Sequence, residues 1–490
     1  MIMTFSILTY HIKMFSLETI VSWAKRKGFV YPGSDIYGWL ANAWDYGPYG
    51  SQLKKNIQDL RWKFFVTDRE DMVGMDTAIL AHPRTREASG HVGWFSDALV
   101  DDKKTGQRFR ADKLIEASLE AKKQRFWEES LMSYLKETFG VENLSPEARW
   151  PVIMKDYLVK EKVKNPDTNK EADWTDIRQF NLMLSTHLGP VADDASKIYM
   201  RPETCQSLFT DFKQVCDTTR IRIPFGLAQI GKAFRNEITP GQFLYRTREF
   251  EQMEIEYFVP ADPEEAEKHF SYWKEISMHY WKEILWIPAE KLQYKKHDKL
   301  AHYAADAYDI EYQFPWWRGE VQWIHNRTDF DLRQHQEFSK KDMQYHDPKT
   351  WLRYIPRCIE ASTGLGRSLM VSLLEFYDEE ELTNKNGEKE TRVVVRFPFA
   401  LAPVKYAILP LMEKDEAMVA KGREIFSALK KIHNCEFDLG GAIGKRYRRQ
   451  DEIGTPYCIT IDHQSLEDGT VTIRDRDTME QKRVNRNEII

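Results

Sequence analysis

Residue types that handle phosphate and ammonium groups crowd into one short stretch, GKAFRNEITPGQFLYRTREFEQMEIEYF (231–258), which holds three arginines and five glutamates. Two runs flank a Pro-Gly turn, so the stretch reads as a β-hairpin. Side chains alternate faces along a strand. In AFRNEI, Arg235 and Glu237 share one face, and Phe234, Asn236 and Ile238 the other. In EFEQMEIEYF, Phe250, Gln252 and Glu254 lie opposite Met253, Ile255 and Tyr257. The apolar sets can meet a core. The polar sets make a floor of guanidinium, carboxylate, amide and one flat ring, with Arg246 and Arg248 at the return of the loop. Such a floor suits a nucleotide: the guanidinium fork matches phosphate oxygens, a ring stacks on a base, and glutamate accepts from an exocyclic amine.

For the hairpin alone, a solvated sheet face laced with salt bridges is the plainer reading. A second element tips the balance. RCIEASTGLGRSLMVSLLEFY (357–377) reads as a strand that breaks into a helix through Ser, Thr and Gly. Glu360 and Ser362 share a strand face, and Leu365, Leu369, Met370, Leu373 and Leu374 then repeat at helical spacing. Arg367 falls in the first turn, where the helix dipole disfavours a cation unless an anion sits with it. A surface arginine at an ordinary cap is the alternative to a phosphate held there. Familiar nucleotide loops are missing: GGAIGKR lacks the Walker spacing and its Ser/Thr, and GLGRSL lacks the third glycine of a dinucleotide loop.

The surrounding chain must position these two elements. At 490 residues, two or three domains are expected. With 42% hydrophobic and 13% aromatic residues, packed cores are affordable and wholesale disorder is not expected. A net charge of −5 gives no general attraction to nucleic acid, so any such contact needs a local basic patch. Five scattered cysteines without a CxxC pair argue against a zinc ribbon or disulfide scaffold and suit a reducing cytosol. No run approaches the ~18 apolar residues of a membrane span. From Met14, a first amphipathic helix carries Leu17, Ile20, Val21 and Ala24 on one side and ends at Gly28; Ser51 is expected to cap a second, with Leu53, Ile57, Leu60 and Phe64 inward. Residues 101–175 read as an inserted, mostly solvated module, and 378–392 as a linker or exposed hairpin. Beyond it, strands alternate with one helix, EAMVAKGREIFSALKKIH, in a compact α/β unit.

The hairpin and the strand-to-helix element resemble motifs 2 and 3 of the class II aminoacyl-tRNA synthetases. The rest of the chain resembles their homodimeric glycyl-tRNA synthetase family, through GFVYPGSDIYG, LANAWDYGPYGSQLKKNI, EASGHVGWFSD, RFRADKLIE, RQFNLML, YMRPETCQSLF, NRTDFDLRQH, IEASTGLGR, LAPVKYAILPL and GKRYRRQDEIGTPYC with VTIRDRDTMEQKRV. The resemblance implies an α/β (α+β) fold. An antiparallel-sheet catalytic domain would cover 14–392, with helical insertions at about 101–175 and 260–315. An α/β anticodon-binding domain would cover 393–490, and 1–13 would be an N-terminal extension or a mis-set start, with organelle targeting the weaker alternative.

The same resemblance implies activation of glycine with ATP and Mg²⁺, transfer to tRNA(Gly), a homodimer and a cytoplasmic location. Some relatives carry cysteines in the insertion after SGH, where VDDKKTGQRFRAD has none, so no zinc and no metal held by Cys or His is expected; nor, without a long apolar run, is a membrane partner. Carried over by motif, the ATP contacts are Arg235, Asn236, Glu237, Tyr245, Arg246, Thr247, Arg248, Glu249, Phe250, Glu320, Val321, Gly364, Leu365, Gly366 and Arg367. Arg235, Glu320 and Arg367 would be catalytic, with Glu320 a magnesium ligand. Glycine contacts would be Arg110, Glu203, Phe250, Glu251, Gln252, Met253, Glu254, Glu360, Ala361, Ser362, Thr363 and Gly364; Glu87 and His91 either join them or only shape a loop. In the KRYRR run, Lys445, Arg446, Arg448 and Arg449 would meet tRNA phosphates, against the usual fate of a charge run as a solvated face. Motif 1, in the helix near 51–65, would lie at the dimer interface.

This chain departs from the family in places. Tryptophans stand at Trp39 and Trp323 where glycine is usual, and Arg86 stands where tryptophan is usual. The main rival reading is a non-catalytic relative kept for nucleic-acid binding, which would have no reason to retain Glu203, Arg235, Phe250, Glu360 and Arg367 together. A synthetase for another small amino acid, or a ligase that ignores tRNA, fits the SGH and NRTDFDL segments or the C-terminal unit less well.

Overall fold

The alternation read in 249–258 builds the middle of a seven-stranded sheet. A computed structural model describes residues 15–121, 154–190, 196–238, 241–298, 300–301, 303–383 and 387–489. The N-terminal extension and the centre of the 101–175 insertion lie outside the described residues. The sheet order is Leu292–Lys296, Asp306–Gln313, Arg318–Thr328, Arg357–Gly364, Glu249–Val259, Phe225–Phe234, Met72–Met75. Every pair is antiparallel except the last, which is parallel.

Met253, Ile255, Tyr257 and Val259 point to one face with Ile310, Ile324, Ile359 and Ala361, and this face forms the main core. It packs under the helices Leu17–Arg26, Pro48–Trp62, Pro263–His279 and Leu365–Phe376, through Ile20, Leu53, Trp273 and Leu369 among others. Each large apolar side chain so buried contributes about 1.5–3 kcal/mol, and a one-residue slip would exchange the two faces. Register is therefore fixed. On the opposite face, the helices Cys205–Thr219 and Phe330–Ser339 close one end by packing Leu208, Phe212 and Leu332 with Phe225, Leu227 and Phe258. The even-numbered residues of the central strand occupy the rest of that face.

Several expectations are corrected. The ladder stops at Phe234: the Arg235 amide donates to the Arg248 carbonyl at 2.9 Å, but the Asn236 amide turns away to Leu182 and the Glu237 amide folds back to Arg235. Strand parity therefore does not apply beyond Phe234. Ser51 lies inside its helix, which starts at Pro48 with Gly47 as the cap. Proline's fixed φ suits a first helical position, and a Cβ on Gly47 would lie 2.4 Å from the Gly28 carbonyl oxygen. The inserted module is not merely solvated. Ser96–Asp101, Arg108–Arg110 and Arg178–Asn181 form a three-stranded sheet over a small core of Val100, Ile115, Leu158 and Trp174.

The 260–315 segment is helical through Ile284, with a short 3-10 turn at Ala289–Lys291, and its remainder supplies one edge strand of the main sheet and the strand beside it. The charged 378–392 stretch is a hairpin, Tyr377–Thr383 with Lys389–Val395, but its base is anchored rather than exposed. There Arg392 is fully buried, donating to Asp451 Oδ2 at 2.8 Å and to the Arg476 carbonyl at 2.6 Å.

The C-terminal unit has a five-stranded sheet in the order Cys435–Phe437, Tyr406–Pro410, Tyr457–Ile461, Thr470–Asp475, Gln481–Asn485. Three helices accompany it where one was expected: Glu416–Leu429, Ile443–Asp451 and the short His463–Asp468. The second was hidden because it buries arginine, glutamine and aspartate rather than an apolar stripe. Among the described residues no helix is long and apolar enough to cross a membrane.

Candidate functional site

The polar face of the main sheet has two ends of opposite character. At the acid end, Glu256 stands directly across from Glu360 on neighbouring strands, and Glu254 and Ser362 lie one pleat further along. Glu254, Glu256, Glu360 and Ser362 are buried. Burial and the neighbouring Glu360 push Glu254 up to about 8. The same two causes raise Glu256 well above the usual carboxylate range. Burial alone would raise Glu360 too, but the neighbouring His325 and Arg327 override it and the group falls to about 2. Three close carboxylates thus divide into one firmly ionised and two that hold protons, as like charges in a low dielectric must.

Arg327 organises this end. Its Nη1 donates to Glu360 Oε2 at 2.7 Å, while Nε and Nη2 grip both oxygens of Asp331 at 2.8 and 2.9 Å, and its guanidinium lies 4.2 Å from the Tyr303 ring centre. Glu203 joins from the segment before helix Cys205–Thr219. It accepts from Cys205 Sγ at 2.8 Å and Gln206 Nε2 at 3.1 Å, and lies 3.3 Å from His91 Nε2. Burial opposes ionisation of Glu203, but His91 and Arg327 hold its carboxyl well below the usual range. Thr204 ties the set to the sheet, its hydroxyl donating to Glu254 Oε2 at 2.7 Å and its amide to Gln252 Oε1 at 3.2 Å. The guanidinium of buried Arg86 has no hydrogen bond among the described residues, and its charge acts on Glu203. Carboxyl groups thus crowd this end, and most of them are buried.

The other end is basic and open. A cleft of about 560 Å³ is lined by Lys113, Tyr245, Arg246, Lys295, Arg318 and Glu320, among others. Arg367 reaches it from the first turn of its helix, as its spacing indicated. The anion beside it is Glu320: Arg367 Nη1 donates to Glu320 Oε1 and to the Glu320 carbonyl, both at 2.9 Å. Its Nε donates to the Tyr245 carbonyl at 3.2 Å, and the guanidinium lies 4.2 Å from the Tyr245 ring centre. Arg235 lies between the acid and basic ends, with the Phe95 and Phe250 rings 5.3 and 5.4 Å away, and donates through Nε to the Pro202 carbonyl. Arg248 donates to the carbonyls of Glu237 and Ala41 at 3.1 and 3.0 Å, and Asn42 Nδ2 donates to the Arg246 carbonyl at 2.7 Å. The loop at 38–43 thus carries both arginines. A Cβ on Gly366 would come 3.1 Å from the Leu244 carbonyl oxygen, so glycine lets the loop approach.

Most residues singled out in the sequence meet here, and some side chains do not. Glu249 pairs with Lys232 at the surface, and Glu251 is held by Lys54 and by Gln58 Nε2 at 2.9 Å, on the helix side of the sheet. Met253, Ala361, Val321 and Leu365 belong to the core. The Thr363 hydroxyl donates to the Val321 carbonyl at 2.6 Å. The pleat sends these side chains away from the polar floor. Arg110 is paired with Asp112 at 2.7 Å and Asp97 at 3.2 Å. Thr247 bonds the Glu249 carbonyl. Glu87 is exposed, so of Glu87 and His91 only His91 reaches the site.

In KRYRR, Arg446 is buried with its Nη atoms bonded to the carbonyls of Pro410, Leu411 and Asp438, which removes it from any phosphate-facing set. Arg448 pairs with Glu390 and Arg449 with Asp438 at 2.6 Å, while Lys445 is exposed. Arg327 was the role missed in the sequence. Its i, i+4 spacing to Asp331 in NRTDFDL was the available signal.

Comparison with known proteins agrees with both parts of the chain. Residues 405–490 match the anticodon binding domain family. The glycine–tRNA ligase of Acetivibrio thermocellus is 49% identical over 97% of each chain. That of Chlorobaculum tepidum is 45% identical over 96% of this chain and 97% of its own, and that of Staphylococcus aureus 47% over 96% of each. With identity of that level running nearly end to end, through the acid pocket, the basic cleft and the C-terminal unit alike, the chain belongs to the glycine–tRNA ligase family.

Proposed function

We propose that the chain is a class II glycine–tRNA ligase, which activates glycine with ATP and passes it to the 3′ end of tRNA(Gly). The observation that carries this reading is the acid pocket and the basic cleft on one sheet face, with Arg235 between them. Glycine offers only an ammonium and a carboxylate. Glu203 and ionised Glu360 suit the ammonium, and the tight packing around Ser362 opposes a side chain, since overpacking costs about 1–3 kcal/mol. The carboxylate then faces Arg235, which also meets the α-phosphate and stabilises the charge that grows as the carboxylate oxygen attacks phosphorus and pyrophosphate leaves. Phe250 offers its ring to the adenine and Glu237 accepts from the adenine amine, while Arg246, Arg248 and Arg367 border the phosphates. A carboxylate in a phosphate cleft fits Mg²⁺, so Glu320 would hold that ion, which when bound neutralises the leaving group. No general base is needed; positioning and electrostatics suffice for an in-line displacement.

For tRNA, Lys445 and Arg449 remain the exposed cations of the KRYRR run, while the motif 1 helix is assigned to a homodimer interface and the location is cytoplasmic. The domain limits proposed are 14–392 and 393–490. Glycine-dependent ATP–pyrophosphate exchange tests the reading, with alanine and serine as competitors. Exchange with glycine alone, reduced by about 10²–10³ in Arg235→Ala, is expected. Folded protein that gives no exchange with any amino acid yet binds tRNA would overturn it in favour of a non-catalytic binding protein.

A further inference from the structure

Beside the basic cleft, two histidines and an aspartate converge from three strands that the sequence keeps apart. His297 follows the edge strand Leu292–Lys296, and its amide extends the ladder by donating to the Ala307 carbonyl at 3.0 Å. Asp309 lies in the next strand, and His325 in the one after, directly across from Ala307. One ligand atom from each of the three lies within 4.8 Å of the others. His297 Nε2 and Asp309 Oδ1 are 2.9 Å apart, yet neither makes a hydrogen bond, and both ring nitrogens of His325 are also buried without one among the described residues. An ordinary His297–Asp309 ion pair would account for two of these atoms and, with His325 Nδ1 beside Glu360 Oε2, leave His325 Nε2 without a polar partner. Unsatisfied buried polar atoms are costly, about 1–3 kcal/mol each, and rare in native folds.

The donor set is two imidazoles and one carboxylate, the combination that borderline ions such as Zn²⁺ take in sites that keep a further position open. Ligand atoms about 2.0–2.2 Å from one ion sit roughly 3–3.5 Å apart, so a contraction of about an ångström closes the triangle. Asp309 also lines the cleft beside Lys295, Glu311 and Glu320, which gives an entry path. On the far side, His325 Nδ1 lies 3.3 Å from Glu360 Oε2, the kind of carboxylate contact that orients a ligating imidazole whose other nitrogen holds the metal.

We propose that His297, Asp309 and His325 form a site for a divalent ion of the zinc type, distinct from the Mg²⁺ assigned above to Glu320, with its open position turned toward the phosphate cleft. This proposal departs from the expectation of no zinc and no histidine-held metal. In metal-stripped full-length protein with Mg²⁺ in excess, equilibrium dialysis should find one equivalent of Zn²⁺ bound per chain, and Co²⁺ should develop visible absorption at the same stoichiometry. His297→Ala and His325→Ala should each weaken Zn²⁺ binding by at least about tenfold, and the rise in Tm that Zn²⁺ gives the unsubstituted protein should vanish in both. Glu320→Gln should retain the ion. His297 is partly exposed beyond the end of a strand, so its variant keeps the test valid should His325→Ala fail to fold. Wild-type protein without stoichiometric Zn²⁺ would overturn the site, as would binding that survives both histidine substitutions. Loss in Glu320→Gln as well would overturn its separateness. The readout is metal rather than aminoacylation, so its failure is distinguishable from failure of the functional reading.

Discussion

The acid pocket and the basic cleft share one sheet face but are built by opposite means. The pocket is closed: its carboxylates are buried, and their charge is set by an internal cation, Arg327, bonded to both Glu360 and Asp331. The cleft is open: its arginines are partly exposed and steadied by carbonyls and one exposed-side partner, Glu320. Burial makes each pocket charge strongly coupled to its neighbours, because little water screens it. In the cleft, solvent screens the cations until a polyphosphate displaces it. The pocket therefore ties recognition to stability, and the cleft separates them.

The widest test of that contrast removes one cation from each side. Arg327→Leu should lose about 3–5 kcal/mol of stability in urea unfolding, since it strands Glu360 and Asp331 as uncompensated buried charges. Arg246→Ala should lose less than about 1 kcal/mol while raising the KM for ATP. Equal stability losses would erase the distinction. Next in size, Glu203→Gln should raise the KM for glycine about 30- to 100-fold, for some 2–3 kcal/mol of a buried charge contact. In the same steady-state assay the KM for ATP should stay within about threefold; a parallel rise in both would mean that the two ends are not independent.

A smaller effect is expected with pH. Glu254, at about 8 in the folded chain, stands above the ordinary glutamate value of about 4.3. Between those values the folded state keeps a proton that the unfolded state has lost, so stability contributed at this group falls as pH rises through that window, by at most about 1.4 kcal/mol per unit. Glu254→Gln should flatten the decline in Tm from pH 5 to 8, and an unchanged slope would contradict the assignment. Glu360, lowered to about 2, has the opposite sign: its stability is present above the ordinary value and is lost as pH falls toward 2. The smallest change should come from Trp39→Gly on the cleft side. Trp39 sits at φ +59, a left-handed backbone that suits glycine. Its ring packs on Trp44 and its Nε1 donates to the Ala43 carbonyl at 2.8 Å, which offsets the strain. Stability should shift by less than about 1 kcal/mol and the KM for glycine not at all; a large change in glycine binding would place this loop in the pocket.

The strand parity of 250–257 was legible, because a pleat has period two and the apolar set can face only one core. So was the break from strand to helix at Gly364, with Arg367 in the first turn and leucines at helical spacing. The parity argument failed for Arg235 and Glu237, because whether a ladder continues depends on its partner strand. Arg446 failed for a related reason. A basic helix usually faces water, and only the carbonyls of Pro410, Leu411 and Asp438 around it decide that this one does not.

By itself, then, the sequence determined the local periodicities, the residue types at the polar floor and the family they match. The tertiary structure alone decided which charges are neighbours. Sheet order sets Glu256, Glu360 and His325 side by side from strands far apart in sequence, and gathers His297 and Asp309 next to them. Periodicity is a property of a few consecutive dihedrals, whereas charge coupling falls off with distance in space and strengthens with burial, and neither is fixed until distant strands have paired.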